Sequence, residues 1–226
     1  MGIRRDLNAV RNSLRSELAH GVIPVPGGQY VFMPTAKPKP FIYQLKITLL
    51  EINPPIWRRI QVPSTLPLCC LHDAFQAVMG WTDSHLHQFE NDGKYWGDPA
   101  NREFEDDIEI IDESKVSVAK LLLAEGEAMV YVYDYGDNWR HEVVLEKIVP
   151  ADAPTKPVCL AGERRCPPED VGGPSGYQEF LEVIFKPGHE EFSHFRGWAG
   201  GKFHAEEFDL AAVNKALGKM RWTGRR

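Results

Sequence analysis

The chain lacks long apolar runs and an export signal. Its longest apolar stretches, such as 66–71 and 130–133, fall far short of the roughly 18 residues that predict a membrane-spanning helix. The first twenty residues are charged throughout, with no apolar centre and no small-residue cleavage site. We therefore expect a soluble cytoplasmic protein with no membrane partner. Cysteine is also scarce, and in a protein that is not exported its four cysteines predict free thiols rather than a disulfide framework.

Several common catalytic and nucleotide-binding motifs are missing too. There is no Walker loop, no Gly-x-Gly-x-x-Gly after a predicted strand, no Gly-x-Ser-x-Gly elbow and no His-Glu-x-x-His. Each of these spacings places particular groups around a phosphate, a nucleophile or a zinc ion. The usual nucleotide-binding, serine hydrolase and zinc peptidase functions therefore have no support in the sequence.

Positive charge is sparse in the middle of the chain and concentrated at its ends. Residues 1–60 hold 9 basic against 3 acidic side chains, and residues 196–226 hold 7 against 3. Residues 61–195 hold 10 against 26, and the whole chain carries a net charge of −6. Because nucleic-acid affinity depends on phosphate contacts, we expect any nucleic-acid or protein partner at the basic ends. The acidic middle favours a solvated surface, with a metal ion or a cationic partner as the alternative.

The first 40 residues differ in pattern from the rest. Apolar residues at helical spacing predict an amphipathic helix over about 2–20 whose polar face is rich in arginine. Five prolines between residues 24 and 40 indicate a linker or draped arm. We therefore expect residues 1–40 to form a helix and a Pro-rich arm, separable from a main domain over 41–226.

Strand patterns joined by short turns predict hairpins in the main domain. The strands expected over 41–52 and 56–62 flank Asn53-Pro54-Pro55, which leaves too little chain for a parallel crossover, so this pair should be antiparallel. Asp92-Gly93 predicts a second hairpin. Trp57 and Trp139 lie on strands beside apolar neighbours and should be largely buried, as aromatic residues of the core or of a cleft wall.

Helices are expected between these hairpins. Apolar spacing and turn signals predict them over about 68–79, 116–124, 177–185 and 209–217, and two further strands over 128–133 and 139–148. The stretch 150–174 is rich in Pro, Gly and Cys and is expected to be a loop. Hairpins with interspersed helices predict an α+β fold with an antiparallel or mixed sheet.

The first of three polar segments is His85-Leu86-His87. Alternate residues of a strand point to the same face, so both imidazoles could approach one metal ion. A partly exposed strand face explains the pair equally well. On its own, the spacing does not compel a metal site.

The second polar segment is a turn followed by a strand. Asp134 and Asp137 flank Gly136, and His141 follows on the returning strand. Two carboxylates and an imidazole near a turn can hold a divalent cation or shuttle a proton. Capping of the turn amides by the carboxylates is the structural alternative, and it explains every residue except His141.

The third polar segment carries two cysteines and two adjacent acids. Cys159 and Cys166 are separated by six residues, more than the two to four of zinc knuckles, so zinc ligation would require His85 and His87 to come close. Glu169 and Asp170 precede a Gly pair. They can bind a metal ion or cap the helix that follows.

Four stretches of sequence, in this order and with similar gaps, resemble the Ri-plasmid ORF-three-like family: YQLKITLLEINPPIWRRIQVP, HDAFQAVMGWTDSHLHQF, YVYDYGDNWRHEVVLE and PVCLAGERRCPPEDVGGPSGYQEFLE. The resemblance covers about residues 41–217 and implies a compact α+β domain. It also implies association with mobile elements, since some relatives are passengers of insertion sequences that carry a TnpR-type label. It implies no particular activity, and no motif of this sequence supports a resolvase.

Two functions from different classes fit these patterns. The favoured one is a non-enzymatic accessory or binding protein of a mobile element or its host. The alternative is a divalent-metal-dependent hydrolase, with phosphodiesters as a candidate substrate. Its catalytic residues would be Asp134, Asp137, His141, Glu169 and Asp170, with metal ligands among His85, His87, Cys159 and Cys166.

One geometric expectation separates these two functions. The hydrolase requires at least two of His85, His87 and His141 to meet the turn at 134–138 or the loop at 159–173 in one cleft. A divalent metal ion is the one cofactor implied, and the sequence leaves the oligomeric state open.

Overall fold

The N-terminal part of the described chain is a small hairpin. The computed structural model describes residues 22–25, 29–32, 41–101, 109–151 and 156–222. Val22–Val25 (β1) and Gln29–Phe32 (β2) pair antiparallel. Part of the predicted Pro-rich arm therefore forms a two-stranded hairpin. The helix predicted over 2–20 lies outside the described residues, and the separability of residues 1–40 stays a prediction.

Strands and helices alternate through the main part of the chain. The strands are β3 (Phe41–Leu49), β4 (Ile56–Pro63), β5 (His87–Asn91), β6 (Lys94–Gly97), β7 (Ile110–Asp112), β8 (Ala128–Tyr133), β9 (Trp139–Pro150) and β10 (Val158–Glu163). The helices are α1 (Leu68–Met79), α2 (Val118–Leu121), α3 (Gly173–Ile184), α4 (Phe192–Trp198) and α5 (Leu210–Lys219). In the part of the chain that the structure describes, no helix is both long and apolar enough to span a bilayer.

The eight strands form one mixed sheet in the order β10-β4-β3-β9-β8-β5-β6-β7. Neighbouring strands are antiparallel except for β6 and β7, which are parallel. The predicted α+β class and the antiparallel pairing of β3 with β4 are therefore confirmed. The Asp92-Gly93 hairpin between β5 and β6 is confirmed as well, and both turn residues have positive φ, as its tight turn requires.

The inward face of β4 carries an arginine. The register of β4 on β3 pairs Arg58 with Ile47, and both side chains are buried. Trp57 therefore points the other way and is half-buried, with Lys46 over its ring. Trp57 is less buried than Trp139, because adjacent residues of a strand point to opposite faces and Arg58 takes the inward one. Trp139 is fully buried, as predicted.

An additional strand lies at one edge of the sheet. Residues 158–163 belong to the stretch that we expected to be a loop, yet they pair antiparallel with β4 as β10. The Pro and Gly residues on which the loop prediction was based lie mostly outside residues 158–163. The acidic stretch after Gly97 likewise contains a short strand, β7.

Helix α1 presents both apolar and polar side chains to the core. It begins after Pro67 and ends at Gly80, whose left-handed φ of 92° terminates the helix. Leu71, Phe75 and Val78 follow each other at helical spacing and are buried, each burial being worth about 1.5–3 kcal/mol. His72 and Gln76 are buried on the same helix. This places an imidazole beneath the strands that carry the other polar segments.

Candidate functional site

A cleft of about 420 Å³ lies between α1, the loop that follows it and the start of β5. Its lining is unusually rich in groups that can bind metal ions: the imidazoles of His72, His85 and His87 and the carboxylates of Asp83, Asp98 and Glu113. Neither Lys nor Arg is among the described residues that line it. The described lining therefore carries acidic and imidazole groups without a basic side chain among them.

Three residues from separate segments come together beside this cleft and are called here the His85 cluster: His85, Asp134 and Asp170. Of the three, His85 lines the cleft itself. The His85 Nε2 atom lies 3.0 Å from an Asp170 oxygen and 3.6 Å from an Asp134 oxygen. This nitrogen is buried, yet it makes no hydrogen bond within the described chain. Two ligands bonded to one metal ion at about 2.1 Å lie roughly 3 Å apart. The spacing therefore fits ligands that face a shared cation, and it equally fits an ion pair between His85 and the carboxylates.

Asp134 reaches the cluster because its turn fixes the carboxylate. It follows β8 with a φ of 57°, in the left-handed region, which Asp tolerates better than most residues. One carboxylate oxygen accepts hydrogen bonds from the backbone N–H groups of Gly136 and Asp137, at 2.9 and 3.3 Å. The other oxygen is directed at His85. The predicted capping role and a ligand role are therefore compatible, since each uses a different oxygen.

Asp137 joins the turn to the loop that carries Asp170. Its Oδ2 atom accepts a hydrogen bond of 3.1 Å from the backbone N–H of Gly172. A Cβ atom added to Gly173 would lie only 2.6 Å from the Asp137 carbonyl oxygen. The turn and the loop are thus in close contact, and Asp137 holds Asp170 in place instead of joining the cluster.

Glu169 fastens the loop that carries His85. Its carboxylate accepts hydrogen bonds from the Thr82 backbone N–H at 2.8 Å and from the Tyr133 hydroxyl at 3.2 Å. The same hydroxyl accepts a bond of 3.0 Å from the Ser84 backbone N–H. Burial, with a smaller effect of Glu169, raises the pKa of Tyr133, so the phenol stays protonated. Glu169 is therefore a positioning residue rather than a ligand.

His87 lines the same cleft but belongs to a second group of side chains. His72, Asp83, His87 and Glu113 form what is called here the His72 cluster. The His87 Nε2 atom lies 2.9 Å from Glu113, and the His72 Nε2 atom lies 2.8 Å from Asp83. His85 and His87 were predicted to share one strand face. Their imidazoles instead belong to different clusters, His85 to the His85 cluster and His87 to the His72 cluster.

His141, which was predicted to be catalytic, does not line the cleft. Its ring is fully buried beside Trp81, and its Nδ1 atom lies 3.2 Å from the Tyr131 carbonyl oxygen. Burial lowers the pKa of His141 to about 4, so the ring is neutral at neutral pH. Of the three imidazoles, that of His85 contacts both the turn and the loop. His87 contacts the turn through its backbone carbonyl, which accepts a hydrogen bond of 3.2 Å from the Tyr135 hydroxyl, whereas His141 lies on the inward face of β9.

The two cysteines also lie apart from the histidines. Cys159 is on β10, and four strands separate β10 from β5, where His87 lies. The Cys166 sulfur lies 3.6 Å from the Met79 sulfur, and burial raises the pKa of its thiol to about 11. Neither cysteine belongs to the groups of three or more ligand atoms found in the described residues. The predicted Cys–His zinc site is therefore not formed.

Three residues of the cleft were not singled out by the sequence patterns: His72, Asp83 and Glu113. His72 had a usable signal, since it stands next to Leu71 in the buried stripe of α1, where a polar residue needs a partner. Asp83 and Glu113 had none. Asp83 and Glu113 lie in segments far apart in the sequence, and only the folded chain brings them to the same cleft.

Comparison with known proteins gives consistent matches over the main part of the chain. The model of the plasmid pRiA4b ORF-3-like protein family matches residues 41–212. The uncharacterised protein y4hQ of Sinorhizobium fredii is 39% identical over 174 residues, which cover 76% of this chain and 86% of that protein. The crystal structure of MM3350, a protein of unknown function from Methanosarcina mazei, has 40% identity and a TM-score of 0.69, covering 79% of this chain and 99% of that one.

Proposed function

The chain belongs to the plasmid pRiA4b ORF-3-like family, and we propose that its cleft is the active site of a divalent-metal-dependent hydrolase. The observation that carries the proposal is the His85 cluster. An imidazole nitrogen without a hydrogen bond faces two carboxylates from different segments. The sequence alone favours a binding protein. The convergence of His85, Asp134 and Asp170 is our reason for preferring the hydrolase instead.

The charge of the cleft supports a cation rather than a purely structural network. Asp134 is 5% exposed, so its carboxylate has lost most of its water. Its partners are two backbone N–H groups and the His85 imidazole, and none of them is a Lys or Arg side chain. A divalent cation bound by one imidazole and two carboxylates offsets both negative charges. One nitrogen and two oxygen ligands suit Mn²⁺ or Zn²⁺.

A cation at this position would supply the chemistry of hydrolysis. It lowers the pKa of a bound water molecule toward neutrality and stabilises negative charge that develops on the substrate. In this proposal His85, Asp134 and Asp170 hold the ion, and Asp137 and Glu169 position the loops that carry them. A phosphodiester is the first substrate class to test, because the ion would attract its negative charge into an otherwise acidic cleft.

The distribution of charge along the chain supports a second candidate function. Basic residues concentrate at both ends, which suits an accessory protein that binds a nucleic acid or a protein partner, in association with a mobile element. Such a protein needs no cation in the cleft. The two candidates therefore differ in whether the His85 cluster is required for function.

We expect the full-length chain to hydrolyse bis(4-nitrophenyl) phosphate when Mn²⁺ or Zn²⁺ is added after treatment with a chelator. Asp134→Asn should lower this rate by about 100-fold or more, since it removes a ligand charge that stabilises the bound ion. The amide can still accept the turn hydrogen bonds, so the fold should be preserved. The release of nitrophenolate, followed by absorbance, measures the rate.

Asp92→Asn is the matched control, because it also removes a carboxylate at a residue with positive φ. It lies in the β5–β6 hairpin turn, outside the lining of the cleft. Its rate should equal that of the unmodified chain. Equal rates for Asp134→Asn and Asp92→Asn would contradict the proposed hydrolase and favour the accessory protein.

A further inference from the structure

The last described helix presents a basic face to solvent. Lys215 and Lys219 lie on α5, Arg221 follows it, and all three residues are exposed. Within the part of the chain that the structure describes, none of the three side chains forms an ion pair or a hydrogen bond. Their positive charges are therefore available to a partner.

The charge of this segment has one sign. Residues 210–226 contain five basic side chains and no acidic one, because Arg225 and Arg226 follow the described residues. The chain as a whole carries a net charge of −6, so the positive charge is local. A local group of cations on an otherwise acidic protein directs polyanions to one surface.

Asn214 fixes α5 against the edge of the sheet. Its Oδ1 atom accepts a hydrogen bond of 2.9 Å from the backbone N–H of Cys159, and its Nδ2 atom donates one of 2.9 Å to the carbonyl of the same residue. Leu217 on the same helix is buried. The helix is therefore held from one side, and its basic residues occupy fixed positions on the other.

The spacing of the two lysines suits a nucleic-acid strand. Lys215 and Lys219 are four residues apart, which is about 6 Å along the helix axis. One strand of a duplex carries a phosphate about every 3.4 Å along its axis. Both ammonium groups can therefore contact phosphates of the same strand.

The side chains around the lysines favour a phosphate backbone over other partners. The exposed residues of α5 from 211 to 219 are only Ala, Gly and Lys, so no large side chain holds a strand away from the helix. A membrane-surface helix carries Trp, Phe or Leu beside its basic residues, and a protein interface centres on large anchors such as Trp, Tyr or Arg. The stretch 211–219 exposes none of these.

The same face lacks the groups that read base sequence. Base edges are recognised mainly by Arg, Asn or Gln, whereas lysines on a helix surface contact phosphates. The one Asn of α5, Asn214, is already paired with Cys159 through both of its polar atoms. Binding by this face should therefore depend on charge and be independent of base sequence.

We propose that the exposed face of α5, with Lys215, Lys219 and Arg221, binds the phosphate backbone of a nucleic acid without regard to its sequence. The inference goes beyond the proposed hydrolase, because none of these residues lines the cleft or belongs to the His85 cluster. It gives the second candidate function a defined surface, and it makes a nucleic acid the partner.

The test is the salt dependence of binding to a fluorescein-labelled DNA duplex of about 20 base pairs, measured by fluorescence anisotropy with the full-length chain in EDTA. Each phosphate contact contributes about −0.9 to the slope of log affinity against log salt concentration. Lys215→Ala, Lys219→Ala and Arg221→Ala combined should therefore make the slope less steep by about 2.7, and each single substitution by about 0.9. At about 50 mM salt the combined variant should bind about 30-fold more weakly or worse. A duplex of scrambled sequence should bind as well as the first.

A second triple variant is the matched control. Lys94→Ala, Lys120→Ala and Lys186→Ala combined remove the same charge from exposed residues elsewhere on the described surface. The slope of this variant should equal that of the unmodified chain. Circular dichroism checks that both variants are folded.

The outcomes separate this inference from the proposed hydrolase. Equal slopes for the two triple variants would overturn the surface on α5, and so would tight binding to one duplex sequence only. No binding to DNA, with or without binding to vesicles of an anionic phospholipid, would overturn the nucleic-acid partner. Because the DNA measurement excludes metal ions, each of these results leaves the metal-dependent cleavage of bis(4-nitrophenyl) phosphate to be judged separately.

Discussion

Replacing Arg58 with alanine is expected to lower the free energy of unfolding by about 3–5 kcal/mol. The side chain is 2% exposed and lies on the inward face of β4. Its guanidinium donates hydrogen bonds of 2.8 Å each to the carbonyl oxygens of Val78, Glu163 and Arg164. These carbonyls belong to the end of α1 and to the end of β10 and the residue after it.

The size of the effect follows from the carbonyls left behind. A buried acceptor that loses its partner costs about 1–3 kcal/mol, and alanine removes this donor from four carbonyls, because Nη1 also bonds the Trp57 carbonyl oxygen at 2.8 Å. The ring of Phe208, which lies 4.4 Å from the guanidinium carbon, would lose its contact as well. Urea unfolding followed by tryptophan fluorescence measures the change.

Arg59→Ala is the matched control on the adjacent residue. Arg59 lies on the outer face of the sheet and pairs with Glu146 at 2.6 Å, with about a third of its side chain exposed. Partly exposed ion pairs contribute about 1 kcal/mol or less. A loss for Arg58→Ala as small as that for Arg59→Ala would contradict the structural role assigned to Arg58.

Replacing Gly173 with alanine is expected to destabilise the protein by about 2–4 kcal/mol and to weaken metal binding. Gly173 has a φ of 69°, and an added Cβ would lie 2.6 Å from the Asp137 carbonyl oxygen. The Asp137 carbonyl is part of the backbone and cannot move aside as the end of a flexible side chain can. The loop that carries Asp170 must therefore move away from the turn that carries Asp134, which spreads the His85 cluster.

Gly126→Ala separates the two causes of this loss. Gly126 also has a positive φ, of 87°, but an added Cβ would have no neighbour within 4 Å. It should cost only the backbone strain, about 1–2 kcal/mol, and leave metal affinity unchanged. Thermal unfolding with and without Mn²⁺ measures both effects. Equal losses in the two variants, with equal stabilisation by Mn²⁺, would show that the contact with Asp137 is unimportant.

Local patterns predicted much of the fold because they are sufficient for short-range structure. The period of α1, the Gly80 end of that helix and the Asp92-Gly93 turn each follow from a few adjacent residues. β10 was missed because it is stabilised mainly by pairing with β4, which lies far away in the sequence. The burial of Arg58 was not predicted, because an arginine can be buried only where carbonyls distant in the sequence accept its hydrogen bonds.

The candidate site was predictable to a smaller extent for the same reason. The sequence identified His85, Asp134 and Asp170, which the fold brings together. It also selected His141, whose burial depends on the direction in which β9 faces. Asp83 and Glu113 carry no local signal, because their significance arises only from the distances to His72 and His87. A metal site assembled from separate loops is a tertiary property.

The most direct test of the proposed metal site is the anomalous diffraction of Mn²⁺ in crystals of the full-length chain. We expect a peak about 2.0–2.3 Å from the His85 Nε2 atom and from one oxygen each of Asp134 and Asp170. The peak should vanish in Asp134→Asn and persist in Asp92→Asn. Crystals in millimolar Mn²⁺ with no peak at His85, and with its nitrogen hydrogen-bonded to a carboxylate, would contradict the account.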